Sequence, residues 1–206
     1  MKLLNINNEY AEDILLWNQL RAGDEEAFSL LFEKYYKTLV KYGRTLLDDF
    51  DMVQDCVQDV FVDLWKYRYS LKEANVIKAY LLSSVRKRIA RSYERDHIFS
   101  KSKGIDSIEF SFDFCIEDRL IAKEVLSEKV RQLNLLINGL PSRQKEALYL
   151  RYHQNLSVDQ VADVLNLNYQ STKNLLHRII LLLRKNFPTA IIYLFAKISS
   201  NYYFFS

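Results

Sequence analysis

Apolar positions in the first half of the chain recur at helical spacing. Phe28, Leu31, Phe32, Tyr35 and Leu39 stand at i, i+3, i+4, i+7 and i+11, which places them on one face of a helix. Gly23-Asp24 precedes that run. The glycine can close an earlier helix in a left-handed residue, and the aspartate carboxylate can accept the unpaired N–H groups of the next. A second helix is predicted over 51–65 and a third over 74–96, the latter turning Ile77, Tyr80, Leu81 and Val85 inward. After His97 the periodicity fades into SKSKGIDSIEFSFDFCIED, a mixture of Ser, Gly, charge and isolated aromatics that reads as a linker.

Periodicity returns with a helix through Ile121, Val125 and Val130 to Ile137. It stops at Asn138-Gly139 and restarts at Pro141, where a missing N–H costs nothing. Ser157-Val158-Asp159-Gln160 fits a capping box. Val158, Val161, Ala162 and Leu165 form one apolar face behind it, and Asn166 suits a left-handed helix end. Beyond a turn at 166–168, a longer helix is expected to bury Thr172, Leu176, Ile179 and Leu183. Short helix, tight turn and long helix make a helix-turn-helix. The expected fold is all-α, with two helical domains at 9–97 and 119–187, a linker at 98–118 between them, and an apolar tail at 188–206.

Composition narrows the class. Four Gly and two Pro in 206 residues cannot supply the turns that most all-β folds need. No uninterrupted apolar stretch reaches the roughly 18 residues that cross a bilayer. The start, MKLLNINNEYAED, lacks the apolar core and cleavage site of a secretory signal. Cys56 and Cys115, with His97, His153 and His177, show no metal-ligand or redox spacing, so no metal or cofactor is expected and a reduced, cytoplasmic compartment is. No nucleophile stands with a base in any recognisable spacing. The chain is therefore not expected to be an enzyme or to take a small-molecule substrate.

Net charge is only +3, but its distribution is uneven. Asp51, Asp55, Asp59 and Asp63 lie four apart, facing away from Val53, Val57, Val60 and Leu64, and no Lys or Arg occurs from 48 to 63. Like charges at i,i+4 cost a helix about 0.2–0.5 kcal/mol per pair. A basic partner would offset that repulsion, and a plain solvated face is the other reading; the spacing is not that of an EF-hand. Gln54 and Gln58 flank the stripe. The next helix reverses the sign, with Arg88, Arg91 and Arg95 on one face and seven Lys or Arg against two acids between 86 and 103. Guanidinium groups a turn apart can meet successive phosphates, and nearby Tyr67, Tyr69, Tyr80 and Tyr93 can stack on unpaired bases. A third surface, on the last helix, carries Gln170, Lys173, Asn174, His177, Arg178, Arg184 and Lys185, with no acid after Asp163. Such residues suit a helix lying in the major groove; a polar solvent face is the alternative.

That order of surfaces resembles the extracytoplasmic-function sigma factors of bacterial RNA polymerase, over nearly the whole chain. RAGDEEAF (21–28) looks like the start of their first domain, and DCVQDVFVDLW (55–65) is similar to the segment that docks on the polymerase clamp helices. YLLSSVRKRIARSYER (80–95) resembles the helix that melts and reads the minus-ten element. LPSRQKEALYLRY (140–152) and NLSVDQVADVLNLNYQSTKNLLHRIILLLRK (155–185) resemble the domain that reads the minus-35 element. The resemblance implies promoter DNA and core RNA polymerase as partners, through the β′ clamp helices and the β flap, together with an anti-sigma factor. Carried over residue by residue, Asp55, Gln58 and Asp59, with Asp51 and Asp63 of the same stripe, would contact polymerase. Tyr69, in a loop at 67–71 that captures an extruded base, would meet the minus-ten element with Arg86, Lys87, Arg88, Arg91 and Arg95. Gln170, Ser171, Lys173, Asn174, His177 and Arg178 would meet the minus-35 element.

Departures from the family pattern carry their own expectations. Lys87 and Arg91 stand where the family commonly has Asn and Asp, which moves that helix from reading bases towards holding phosphate. Leu175 replaces an Arg, and Ile180-Leu181-Leu182 replaces part of a basic end, so minus-35 binding should be weaker or these residues should pack elsewhere. The tail, too polar in its middle to span a membrane, is expected to form a further docking helix, for the anti-sigma partner or a membrane surface. Two rivals remain. A stand-alone helix-turn-helix regulator accounts for 140–185 but leaves the Asp stripe unexplained, and a DNA recombinase would need a catalytic domain for which the first 95 or so residues leave little room.

Overall fold

The computed structural model describes residues 2–73, 76–96, 110–112 and 124–186. The chain divides into two compact units, 1–109 and 110–206. All regular elements among the described residues are helices, in line with the all-α expectation.

The first unit holds α1 (Lys2–Ala22), α2 (Glu25–Leu46), α3 (Phe50–Lys66), a single 3₁₀ turn (Arg68–Ser70) and α4 (Ile77–Asp96). Its starts are capped as the residue types dictate. The Asp24 carboxylate accepts the Ala27 N–H at 3.0 Å, and Asp49 accepts that of Met52 at 3.0 Å. α2 is the central helix and touches α1, α3 and α4. Gly43 permits this: a Cβ there would stand 2.6 Å from Val53 Cγ1 and 3.2 Å from Ile89 Cδ1, so only a bare backbone lets α2 approach both neighbours. Leu31, Leu39, Tyr42, Val57, Leu81 and Ile89 fill the core. Cys56 is buried on the apolar side of α3, where burial raises its thiol pKa and leaves it a small hydrophobe. The motif resemblance begins at residue 21, but within the expected domain of 9–97 α1 contributes Leu16, Trp17 and Leu20 to the core. It also carries the buried Asp13, which accepts from the Tyr35 hydroxyl and pairs with Lys34 Nζ at 2.7 Å.

The second unit contains α5 (Glu124–Asn138), α6 (Ser142–Leu148), a π turn (Tyr149–His153), α7 (Val158–Leu165) and α8 (Tyr169–Asn186). Pro141 stands just ahead of α6. The π turn is not visible in the periodicity. It arises where the Gln154 N–H reaches five residues back to the Tyr149 carbonyl, at 2.9 Å, while Gln154 Nε2 donates to the Tyr149 hydroxyl at 2.8 Å. Tyr149 is fully buried, and burial pushes its phenol up to about 12.

One expectation about the linker is corrected here. Phe110 and Phe112 fall within 98–118, yet both ring systems pack on Tyr149, with centroids 5.5 and 4.7 Å away, and Phe110 is 2% exposed. Apolar area drives them out of the linker and into the second unit. Phe110→Ala should lower that unit's stability by about 3–5 kcal/mol, the usual cost of truncating a buried Phe. Thermal denaturation of the full chain reads the loss; an unchanged transition would return 110–112 to the linker. The remaining linker residues, Cys115, His97 and the tail at 188–206 lie outside the described residues.

Candidate nucleic-acid and polymerase interfaces

α3 positions the acidic stripe. Val53, Cys56, Val57, Val60, Phe61 and Leu64 turn inward, so Asp51, Asp55, Gln58 and Asp59 are left exposed and Asp63 half-exposed at the far edge. The predicted stripe is therefore a surface. Its two ends differ. Asp51 and Asp55 make no salt bridge among the described residues, whereas Arg88 of α4 pairs with Asp59 at 3.5 Å and with Asp63. Gln54 is drawn away from the stripe, because its amide donates to the Tyr36 hydroxyl at 3.0 Å.

Beside Gln58 runs an open groove between α2 and α3, about 420 Å³, lined by Phe28, Phe32, Glu33, Phe61 and Val62. Val62 is 60% exposed, and beside it Phe28 and Phe32 each meet the Phe61 ring edge to face. The spacing of Phe28 and Phe32 marks them as core, and they do lean on Phe61. Their outer edges nevertheless extend the acidic face with apolar surface, which is common at the centre of protein interfaces.

α4 carries the basic face, with two corrections to the expected set. Arg86 is 5% exposed: it falls three and four residues from Ile89 and Leu82, on the buried row, and so is not presented to DNA. Arg88 is directed onto Asp59 and Asp63, so its guanidinium is shared with the acidic stripe. Lys87, Arg91 and Arg95 are exposed as expected. Tyr80, expected inward, is 40% exposed, because it shares a helix row with Ser84, Lys87 and Arg91 rather than with Leu81 and Val85.

Lys87, Arg88 and Arg91 form one rim of a cleft of about 240 Å³. Tyr67 and Tyr80 supply aromatic faces, Val60, Leu64 and Leu71 apolar surface, and Ser84 and Asp63, the latter paired with Arg88, the remaining polar lining. Partial burial raises the Tyr80 phenol pKa above its ordinary value. Tyr69 stands next to the cleft at 71% exposure, the Arg68 guanidinium stacked 4.4 Å over its ring and 4.1 Å over that of Trp65. Apolar surface, aromatic faces and a cationic rim suit an unstacked nucleobase followed by its phosphates. Sequence reasoning found the cations and Tyr69 but did not bring Tyr67 and Tyr80 into one cleft.

The third surface agrees closely with its prediction. Ser157 and Gln160 form the reciprocal capping box, and Asn166 ends α7 in the left-handed region at φ 52°. Asn168 Oδ1 accepts the Ser171 N–H at 2.7 Å, starting α8, and Thr172, Leu176, Ile179 and Leu183 are its buried residues. The rotation of α8 is thereby fixed, and Gln170, Lys173, Asn174, His177 and Arg178 are exposed together, with Ser171 at their edge. Gln170 donates to Asn174 Oδ1 at 2.9 Å, which holds the two exposed amides side by side on α8. Leu181 and Leu182 are exposed at the far end.

Comparison with known proteins divides along the same lines. Residues 31–97 match the family Sigma-70 region 2 and residues 130–183 match Sigma-70, region 4. Among curated relatives, the ECF RNA polymerase sigma factor SigX of Bacillus subtilis (strain 168) is 23% identical over 164 residues, 79% of this chain and 84% of the relative. The RNA polymerase sigma factor YlaC of the same organism is 25% identical over 161 residues, 76% of this chain and 89% of its own. Among solved structures, CnrH in its complex with the cytosolic domain of CnrY has a TM-score of 0.51 at 18% identity, covering 81% of this chain and 91% of that one.

Proposed function

Because this chain belongs to the sigma-70 family, in its extracytoplasmic-function group, and as such binds core RNA polymerase and promoter DNA to start transcription, we propose how its surfaces divide that work. Asp51, Asp55, Gln58 and Asp59, with the groove around Val62, dock on the β′ clamp helices. The cleft between α3 and α4 takes an unstacked base of the minus-ten element, while Lys87, Arg91 and Arg95 hold the flanking phosphates. Gln170, Ser171, Lys173, Asn174, His177 and Arg178 of α8 enter the major groove at the minus-35 element, with the second unit resting on the β flap. Mechanism resides in binding energy: the chain makes and breaks no bonds, needs no cofactor, and works in the cytoplasm.

The observation that carries this reading is the side-by-side placement in one unit of an acidic face, exposed from Asp51 to Asp59, and a basic, aromatic-sided cleft, the two meeting at Arg88 and Asp63. A regulator that binds operators alone has use for neither. A structural neighbour held by a second protein, CnrH with the cytosolic domain of CnrY, supports an anti-sigma partner here as well.

The test measures binding to a duplex promoter by the free chain and by the chain with core polymerase. Specific binding and strand opening should need the polymerase, because the cleft must be held against the DNA while it opens. Tight, specific duplex binding by the free chain, unchanged by polymerase, would make it a stand-alone regulator and return the acidic stripe to a solvated face.

A further inference from the structure

α1 grips both sides of the cleft from behind, and it lies outside the region 2 match, which begins at residue 31. Trp17 is 1% exposed, and its indole N–H donates to the Lys72 carbonyl at 3.1 Å. One turn later, Arg21 Nε donates to the Leu71 carbonyl at 2.9 Å. Leu71 lines the cleft, so this bond sets the position of a lining residue directly. On the other side, Trp17 meets Tyr80 edge to face, with ring centroids 5.2 Å apart at 69°. Residues 71–73 have neither a helical nor a strand ladder, so side-chain donors from α1 satisfy carbonyls that local structure leaves unpaired.

The end of α1 adds a third constraint. Gly23 sits at φ +96°, where side chains are strained, and a Cβ built there would stand 2.9 Å from the Tyr69 hydroxyl. The chain leaves α1 in a left-handed residue with the exposed Tyr69, two residues from the cleft-lining Tyr67, resting against it.

We infer that Trp17, Arg21 and Gly23 are positioning residues for base capture. They brace the segment 67–72 against α4, so that the cleft is open at its working width before DNA arrives. This rests on the reading of the cleft as the site of the unstacked base. The physical gain is preorganisation: a segment already fixed loses less conformational entropy when a base enters, and that saving is realised only while strands separate. A brace differs from a mere staple of α1 to the domain, since a staple would affect stability without favouring one DNA substrate over another.

The experiment uses the full chain with core polymerase and a promoter carrying 2-aminopurine in the minus-ten element, whose fluorescence rises when the base unstacks. Arg21→Ala and, separately, Trp17→Phe each remove one donor; the first spares the core because Arg21 is half-exposed, and the second keeps an aromatic ring in place. Each should slow opening of the duplex promoter about tenfold, the scale of a lost hydrogen bond in a partly buried site. A promoter already unpaired across the minus-ten element should open to both within about twofold of the parent, and Arg21→Lys, which retains a donor, should recover part of the duplex rate. Equal defects on both templates, or no defect on either, would overturn the brace. Tyr67→Ala in parallel tests the underlying reading: if it leaves opening unchanged, base capture in this cleft falls and the brace with it. If Tyr67→Ala slows opening while Arg21→Ala and Trp17→Phe do not, only the brace is wrong.

Discussion

Lys87→Ala combined with Arg91→Ala should all but abolish promoter opening while the chain still co-purifies with core polymerase. Both cations are exposed on α4 and both line the cleft, so their loss removes charge from the DNA side without opening a hole in the core. Each hydrogen-bonded charge contact contributes roughly 1.5–3 kcal/mol, about tenfold or more, so the pair together should cost at least a hundredfold. The salt dependence offers an independent check. Two phosphate contacts on a single strand should lower the log–log slope by about 1.4, and a slope that does not change would mean that neither residue meets phosphate.

The choice of residues follows from where the structure places the others. Arg86→Ala would remove a buried side chain, so any loss of opening could reflect loss of fold. Arg88→Ala would strip the partner from Asp59 and Asp63, perturbing both faces at once. Variants at 88, 91 and 95 together, the obvious set from helical spacing, would therefore mix two effects that Lys87 and Arg91 keep apart.

Helical periodicity and capping chemistry made the helix-turn-helix of the second unit, α7 and α8, legible almost residue by residue. A capping box and a left-handed Asn fix where α7 begins and ends, and three apolar positions with the buried Thr172 fix the rotation of α8. These are local interactions, within four residues of each other, and sequence spacing reports them directly. The Asp stripe of α3 was legible for the same reason. Its intramolecular partner was not, because Arg88 lies 25 residues from Asp63 and meets it only through the packing of α4 on α3. Phe110 escaped notice likewise: its neighbours in sequence are polar or isolated, and its partner Tyr149 is distant along the chain. Burial of Arg86 could have been read earlier, since its spacing from Leu82 and Ile89 already puts it on the apolar row. The cleft was beyond reach, for Tyr67, Leu71 and Tyr80 share no periodic relation and converge only when α1, α3 and α4 pack.

The complementary loss comes from Asp55→Ala, Gln58→Ala and Asp59→Ala in one chain, which should no longer co-purify with core polymerase. Stability separates this from a folding defect. Asp51, Asp55, Asp59 and Asp63 repel one another at i,i+4, and removing the middle two relieves three such pairs at about 0.2–0.5 kcal/mol each. The ion pair lost among the described residues is Asp59 with Arg88, a 3.5 Å contact with Asp59 largely exposed, and such surface pairs contribute about 0–1 kcal/mol. The variant should therefore melt at or above the temperature of the parent while losing its partner. That combination is what a docking surface predicts, since a basic partner would neutralise a stripe that otherwise disfavours its own helix. Arg88, freed from Asp59, still has Asp63, so the cleft should keep its rim. Undiminished co-purification of this variant would move polymerase docking off α3, and with it the reading of the groove beside Val62.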